Sequence, residues 1–382
     1  MSFQTYFTKE HDMLRDAARQ FIAAEIMPFI DEWEEAGSFP RELYIKAADA
    51  GVLRLGYPEE YGGLPIDLFG EVVVWEELNR TGSGGLNASL GSLHIALPPI
   101  VKLGTPEQKE RYLRPVLNGE QIAALAITEP SGGSDVANIQ TTAVRDGDHY
   151  IVNGSKSFIT SGCRADQITC AVRTGGEGYA GISLLIIDAA SDGYSTSQPL
   201  KKMGWWPSDT AQIFFDEVRV PTKNLIGKEN EGFYAIMMNF QKERLMMSVG
   251  ATTAADLALK ESLRYVKERE TFGKPLERHQ VIRHKLADMA TLVNVSREYN
   301  YRVAAKMNAG VDQVTEVSMA KNFACDVADQ VIDQAVQIFG GYGFMREYLV
   351  ERLYRDNRIM SIGGGTREIM NEVISKRILS GG

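Results

Sequence analysis

Apolar residues fall three or four positions apart through the first third of the chain, gather into short runs through the middle, and return to helical spacing towards the end. From Thr8 to about Glu120, positions such as Met13, Leu14, Ala17, Phe21 and Ile22 mark one face of an amphipathic helix. Pro40, Gly51, Pro58–Gly63 and Gly104–Pro106 punctuate this region. Between about Ile122 and Lys228 the runs shorten to Tyr150–Val152, Ile168–Val172, Ile182–Ile187, Ile213–Phe215 and Val218–Val220. Turn clusters at 145–148 and 174–176 separate them. Strands at this spacing without intervening helices predict an antiparallel sheet or barrel. From about Asn230 the helical period covers 231–267, 276–308 and 312–339, with breaks at Gly273–Pro275 and Gly340–Gly343. Long helices on short loops predict antiparallel neighbours in a bundle. The pattern predicts an α+β chain: a helical domain over 1–121, a central antiparallel β domain over 122–229 and a helical bundle domain over 230–382.

The 382 residues are 44% hydrophobic and 24% charged, which suits two or three globular domains. A net charge of −9 without a basic stripe argues against nucleic-acid binding. No run of about 18 apolar residues predicts a membrane span. The N-terminal segment shows no apolar core, cleavage site or acid-poor Arg-rich leader, so a cytoplasmic location is expected. Cys163, Cys170 and Cys325 lack CxxC spacing and are expected to be buried thiols in a reducing compartment. The five histidines form no metal-type cluster.

One motif misleads. Gly176, Gly178 and Gly181 match the GxGxxG dinucleotide fingerprint, which works only where a helix follows to receive the pyrophosphate. Here Ile182–Ile187 follows, so the glycines are expected in a hairpin loop.

Two other segments suit a flat ligand. In Ala126–Asp135, small residues and hydroxyls at a strand end let a ring approach the backbone closely. In Asn153–Thr160, Phe158 and Thr160 bring an aromatic and a hydroxyl on a second strand. Taken alone, the first segment equally suits a polar turn, and Phe158 suits a core. Further segments follow at Pro58–Gly63, Arg269–Gly273, Gln337–Gly341 and Gly364–Thr366. In order and spacing the whole set resembles the acyl-CoA dehydrogenase family over nearly the full chain.

That resemblance implies a helical domain, a β domain and a C-terminal four-helix bundle, with FAD as cofactor. It implies that Leu125, Ile127, Thr128, Gly133 and Ser134, with Phe158, Ile159 and Thr160, hold the isoalloxazine. Many relatives carry Trp where Phe158 stands. Arg269, Thr271, Phe272, His279 and Gln280 take family positions that contact FAD, as do Thr366 and Glu368. Gln337, Gly340 and Gly341 are expected to reach the FAD of a neighbouring subunit in a homotetramer built from dimers. Ser134, Gln241, Arg244 and Gly365 are the expected substrate contacts, and an electron-transferring flavoprotein is the implied acceptor.

The family reaction removes an α-proton to a carboxylate while hydride leaves Cβ for the flavin. Burial suits a carboxylate to this task by raising its pKa. Much of the family places this Glu where Gly364 stands here. A minority, including the long-chain and isovaleryl enzymes, carries it on a helix just before an Arg, which matches Glu243–Arg244. Glu243 is therefore the expected base. Gly364 is expected to make room for it and to offer its N–H to the thioester oxygen, a contribution of about 3–4 kcal/mol in comparable sites. Other flavin enzymes of this fold (an acyl-CoA oxidase, nitroalkane oxidase or monooxygenase) remain alternatives, as does a non-catalytic acyl-CoA binder, which Gly364 favours and Glu243 opposes. Ala88, Ser89, Gly91, Ser92 and Ala96 lie where the family lines the deep end of its acyl pocket. They would leave room there if they face it, whereas the same small residues equally serve helix packing. Pro98 and Pro99 are expected to bend or end that helix. Medium-to-long or branched acyl chains are the expected substrates.

Overall fold

A computed structural model describes residues 6–380, apart from the side chains of Met238 and Asn239. Residues 1–5, part of the segment inspected above for a leader, lie outside it, as does the Asn239 side chain beside the Glu243 segment.

The first 120 residues form helices α1 (Lys9–Glu25), α2 (Ile30–Ala36), α3 (Glu42–Asp49), α4 (Leu68–Asn79), α5 (Gly84–Leu90), α6 (Leu93–Ala96), α7 (Pro98–Leu103), α8 (Pro106–Gln108) and α9 (Arg114–Leu117). Thr8 caps α1 by accepting from the His11 N–H, and Asp67 caps α4 by accepting from the Gly70 N–H. Pro98 and Pro99 do end the preceding helix. They occupy the first turn of α7, where proline's missing N–H costs nothing.

The central strands are β1 (Ala123–Ala126), β2 (Thr142–Asp146), β3 (His149–Thr160), β4 (Gln167–Arg173), β5 (Ile182–Asp188), β6 (Tyr194–Thr196), β7 (Thr210–Pro221) and β8 (Leu225–Ile226), in the order β6-β7-β3-β2-β4-β5-β8. Most ladders are antiparallel, as the pattern predicts. β1 instead pairs parallel with β4, and β2 meets β4 in parallel at Thr142 and Arg173. The alanine-rich β1 carries too little apolar signal to read as a strand. The runs at 213–215 and 218–220 belong to one strand: polar Asp216–Glu217 resembles a break but forms a bulge, with Glu217 at φ 53° and its N–H on the Asn153 side-chain oxygen. The GxGxxG glycines do lie in the β4–β5 connection, and a strand follows them. Along β5, Ile182, Leu184 and Ile186 face the N-terminal helices while Leu185 and Ile187 face the β core, so the sheet joins two cores by strand alternation.

The C-terminal part contains α10 (Gly232–Glu268), a small hairpin of β9 (Glu270–Thr271) and β10 (Lys274–Pro275), then α11 (Gln280–Asn308), α12 (Val314–Phe339), α13 (Leu349–Asn357) and α14 (Arg367–Leu379). Helices α10, α11, α12 and α14 make the bundle. Phe69 and Val72 of α4 pack with Leu245 and Val249 of α10, tying the first domain to the bundle. No helix among the described residues is long and apolar enough to cross a membrane. Cys170 and Cys325 are buried, but Cys163 is exposed. It sits in the turn after β3, where its N–H is held by Asp209, so backbone geometry and not thiol burial decides its place.

Candidate active site

Strand β1 runs out at Ala126 into a tight turn in which Glu129 and Gly132 exchange backbone hydrogen bonds. Alternation leaves Leu125 and Ile127 half-buried on one face, with Ala124 and Ala126 in the core. Thr128 is half-buried, and Gly133 and Ser134 are exposed beyond it. The Ser157 N–H donates to the Thr128 carbonyl at 2.8 Å and brings β3 alongside. At this point β3 bulges, Phe158 takes φ 59°, and its ring is 69% exposed. A large aromatic held outward in the left-handed region is strained, and such strain collects at binding sites. The same bulge turns Ile159 into the β core, so its side chain does not join the open face.

Beneath this face lies a pair that belongs to no sequence motif. Lys156 is fully buried, with its Nζ 2.8 Å from Glu129 Oε1 and 3.1 Å from the Ile127 carbonyl. Glu129 also accepts from the N–H groups of Gln140 and Thr141. Burial pushes its carboxyl up, but Lys156 and these donors outweigh burial and hold it below the usual carboxylate range. An apolar strand flanked by one Lys and one Glu carries no sign that the two meet inside.

Glu243 stands on α10. The residue is partly exposed, but its Oε2 is enclosed without a hydrogen-bond partner. Burial pushes its carboxyl up to about 7 against the pull of Arg244 and Lys321. A Cβ placed on Gly364 would stand 3.4 Å from Glu243 Oε1 and 2.5 Å from the Met247 sulfur. A side chain at this position would therefore press first on Met247, with Glu243 at ordinary contact distance, and the φ of 62° at Gly364 also favours glycine. Arg244 donates from Nε to the Gly364 carbonyl at 3.2 Å. Gly365 follows at φ 99°, and its carbonyl accepts from Lys321 Nζ at 2.6 Å. Gln241 has its amide engaged by Asp312 and the Gln313 N–H. Thr366 caps α14 by accepting from the Ile369 N–H, with Glu368 in the first turn.

Met247, one turn beyond Glu243, also lines a cavity with about 610 Å³ of empty space, part of it open to solvent. Trp75, Asn87, Ala88, Gly250 and Asp356 complete its main walls. Gly250 sits inside a long helix because α10 there approaches Asn79 of α4: an added Cβ would lie 3.2 Å from the Asn79 oxygen. Of the five small residues on the preceding helices, Ala88 lines the cavity. Ser89 is buried and hydrogen-bonds Ser208, Ser92 and Ala96 are buried, and Gly91 lets the Trp75 ring close in. Helix packing thus explains most of them.

A second group gathers at one end of the bundle. The Arg269 guanidinium lies over the Tyr342 ring, Thr271 and His279 hydrogen-bond at 3.2 Å, and Gln280 opens α11. Phe272 occupies the β9–β10 turn at φ 53° and is 97% exposed. Gln337 ends α12 just before Gly340 and Gly341. Among the described residues, no hydrogen bond or ion pair joins this group to the Phe158 face of the same chain.

Comparison with known proteins decides what this assembly is. Models of the acyl-CoA dehydrogenase N-terminal, middle and C-terminal domains match residues 8–120, 124–218 and 230–379. The chain belongs to the acyl-CoA dehydrogenase family. It is 38% identical to a 3-(aryl)acrylate reductase of Clostridium sporogenes, over 98% of this chain and 100% of the relative. It is also 38% identical to the mitochondrial long-chain specific acyl-CoA dehydrogenase of Rattus norvegicus, over 98% and 87%. A probable acyl-CoA dehydrogenase from Mycobacterium abscessus superposes with a TM-score of 0.96 at 52% identity, covering 98% of this chain and all of that one. Acyl-CoA dehydrogenases are FAD enzymes, and a Bacillus anthracis member solved with FAD superposes at 0.92 and 32% identity, covering 98% of this chain and 67% of that one. The open strand-end face fits a flavin ring: Phe158 offers a flat wall, Thr128 and Thr160 offer hydroxyls, and nothing lies within 4 Å of where a Gly132 Cβ would project.

Proposed function

We propose that this acyl-CoA dehydrogenase removes hydrogen from Cα and Cβ of a medium-to-long or branched acyl-CoA, with Glu243 as the base. The observation that carries the reading is the enclosed, unpartnered carboxyl of Glu243 beside Gly364. A carboxyl near neutrality suits a general base, because it is ionised in part and still basic enough to take a carbon-bound proton. FAD, when bound, supplies the hydride acceptor. Glu243 takes the α-proton, the Gly364 N–H donates to the thioester oxygen, and the cavity beyond Met247 holds the acyl chain away from water. Leu125 to Ser134, Phe158 and Thr160 hold the flavin ring. Gln337 to Gly341 and the Arg269–Gln280 segment reach a neighbouring subunit's FAD, which requires at least a dimer, and the proposed assembly is a homotetramer built from such dimers. An electron-transferring flavoprotein is the proposed acceptor, supported by an Acetobacterium woodii relative named as a subunit of a caffeyl-CoA reductase–Etf complex, 37% identical. A cytoplasmic location fits three cysteines that are all free.

Glu243→Gln tests the reading. It keeps the shape of the site, so FAD content and acyl-CoA binding are expected to persist while turnover falls by about 10²–10⁴. Turnover close to that of the unaltered enzyme would refute the base assignment.

A further inference from the structure

Lys321 of α12 is 0% exposed, one of the largest side chains so buried. A buried ammonium is costly unless the fold uses it. Its Nζ donates to the Gly365 carbonyl, while Arg244 from α10 donates to the Gly364 carbonyl. Two cations from two helices thus hold consecutive carbonyls of one turn. Both turn residues are glycines at positive φ, so the turn has little stiffness of its own and its shape must be imposed from outside. The same turn carries the N–H proposed for the thioester oxygen, and Glu243 stands against it.

We propose that Lys321 is a positioning residue for the dehydrogenation: its buried ammonium fixes the Gly364–Gly365 turn beside Glu243 and supplies part of the field in which that carboxylate works. The proposal rests on the reading of Glu243 as base. Burial pulls the Lys321 ammonium below its ordinary range; among the titratable groups around it, Cys325 on α12 and Glu243 on α10 oppose that pull, and Arg244 on α10 and Arg367 on α14 add to it. Cys325 is neutral, its thiol pushed up to about 11 by burial, and Arg367 is paired with Asp326. Glu243 is therefore the carboxylate on which the Lys321 charge acts, and that charge favours its ionised form. A lysine that merely stapled the turn to α12 would contribute stability without touching the titration of the base.

The test compares K321M and K321Q as FAD-loaded enzymes, reading kcat and KM against pH together with flavin content. In K321M the acid limb of kcat is expected to move to higher pH by about half to one unit, because a cation near the base has gone. Its plateau kcat should fall by about tenfold or more, with KM changing less, because the turn is no longer held. K321Q has an amide donor but no charge, so it should show the same limb shift with a smaller plateau loss. A folded, flavin-loaded K321M with an unshifted limb and kcat within about twofold of the unaltered enzyme would overturn the proposal. Unfolding or flavin loss in both variants would make Lys321 a structural staple and also overturn it. E243Q, measured alongside, separates the two readings: if it remains active the base assignment fails, and if it is inactive while K321M is normal only the role of Lys321 fails.

Discussion

Glu243 is the residue at which burial shapes the proposed chemistry. Its carboxyl is raised to about 7 from an ordinary 4.5, first by burial and against Arg244 and Lys321. Only the ionised form accepts a proton, so kcat/KM should fall about tenfold per pH unit on the acid side, with a midpoint near 7, and level off above about pH 8. A profile flat from about pH 5.5 to 8.5 would count against Glu243. The same shift bears on stability. Because the folded pKa lies above the unfolded one, the native state binds more protons between 4.5 and about 7. Stability therefore declines as pH rises through that window, and the deficit is complete above it. E243Q carries no such charge. It should melt above the unaltered protein at pH 8 and close to it at pH 5, measured by thermal unfolding with FAD bound.

At the scale of elements, the face proposed for the flavin depends on the crossing of β1 and β3. The Lys156–Glu129 pair clamps that crossing from below, and Glu129 anchors the backbone of Gln140 and Thr141. Removing one member leaves the other charged and buried, which costs about 3–5 kcal/mol. K156M should therefore lower the melting temperature sharply and release FAD more readily, whereas E129Q/K156M, which removes both charges and keeps an acceptor for the Gln140 and Thr141 N–H groups, should recover part of the stability. A K156M protein as stable as the parent would show that the clamp is dispensable. The bulge in β3 belongs to the same arrangement, since it turns Phe158 out and Ile159 in within one step of the strand.

At the scale of the whole molecule, the cavity proposed for the acyl chain is built where domains meet. Ala88 comes from the first domain, Trp205 from the loop before β7, Met247 and Gly250 from α10 and Asp356 from α13. kcat/KM measured across C4, C8, C12, C16 and isovaleryl-CoA should favour the longer or branched thioesters, and an optimum at C4 would contradict the assignment of the cavity. Assembly follows from a different surface. Phe272 and Phe344, 97% and 84% exposed, lie near Arg269 and Gly341 at one end of the bundle. These exposed rings fit the proposal that a neighbouring subunit covers this end of the bundle. Light scattering of the FAD-loaded enzyme should give a tetramer. A monomer with tightly bound FAD would refute the shared-site reading.

Periodicity alone determines the α, β, α succession, because the helical and strand periods differ and each long run keeps one of them. Motif order is as legible: Glu243 before an Arg and Gly364 where a Glu is common can both be read from residue identity. The strand pairing is not legible, since β1 is four residues with little apolar signal and its parallel partner lies some forty residues away. Nor does the sequence reveal that Lys156 meets Glu129, that Ile159 turns inward, or that Ser89, Ser92 and Ala96 serve packing while Ala88 lines the cavity. Each of these depends on which way a side chain faces after elements distant in sequence have packed, and that direction is set by register, bulges and neighbouring helices. Sequence carries the chemistry of the candidate site. Tertiary packing decides which groups share a space, and so raises the pKa of Glu243 while holding that of Glu129 down.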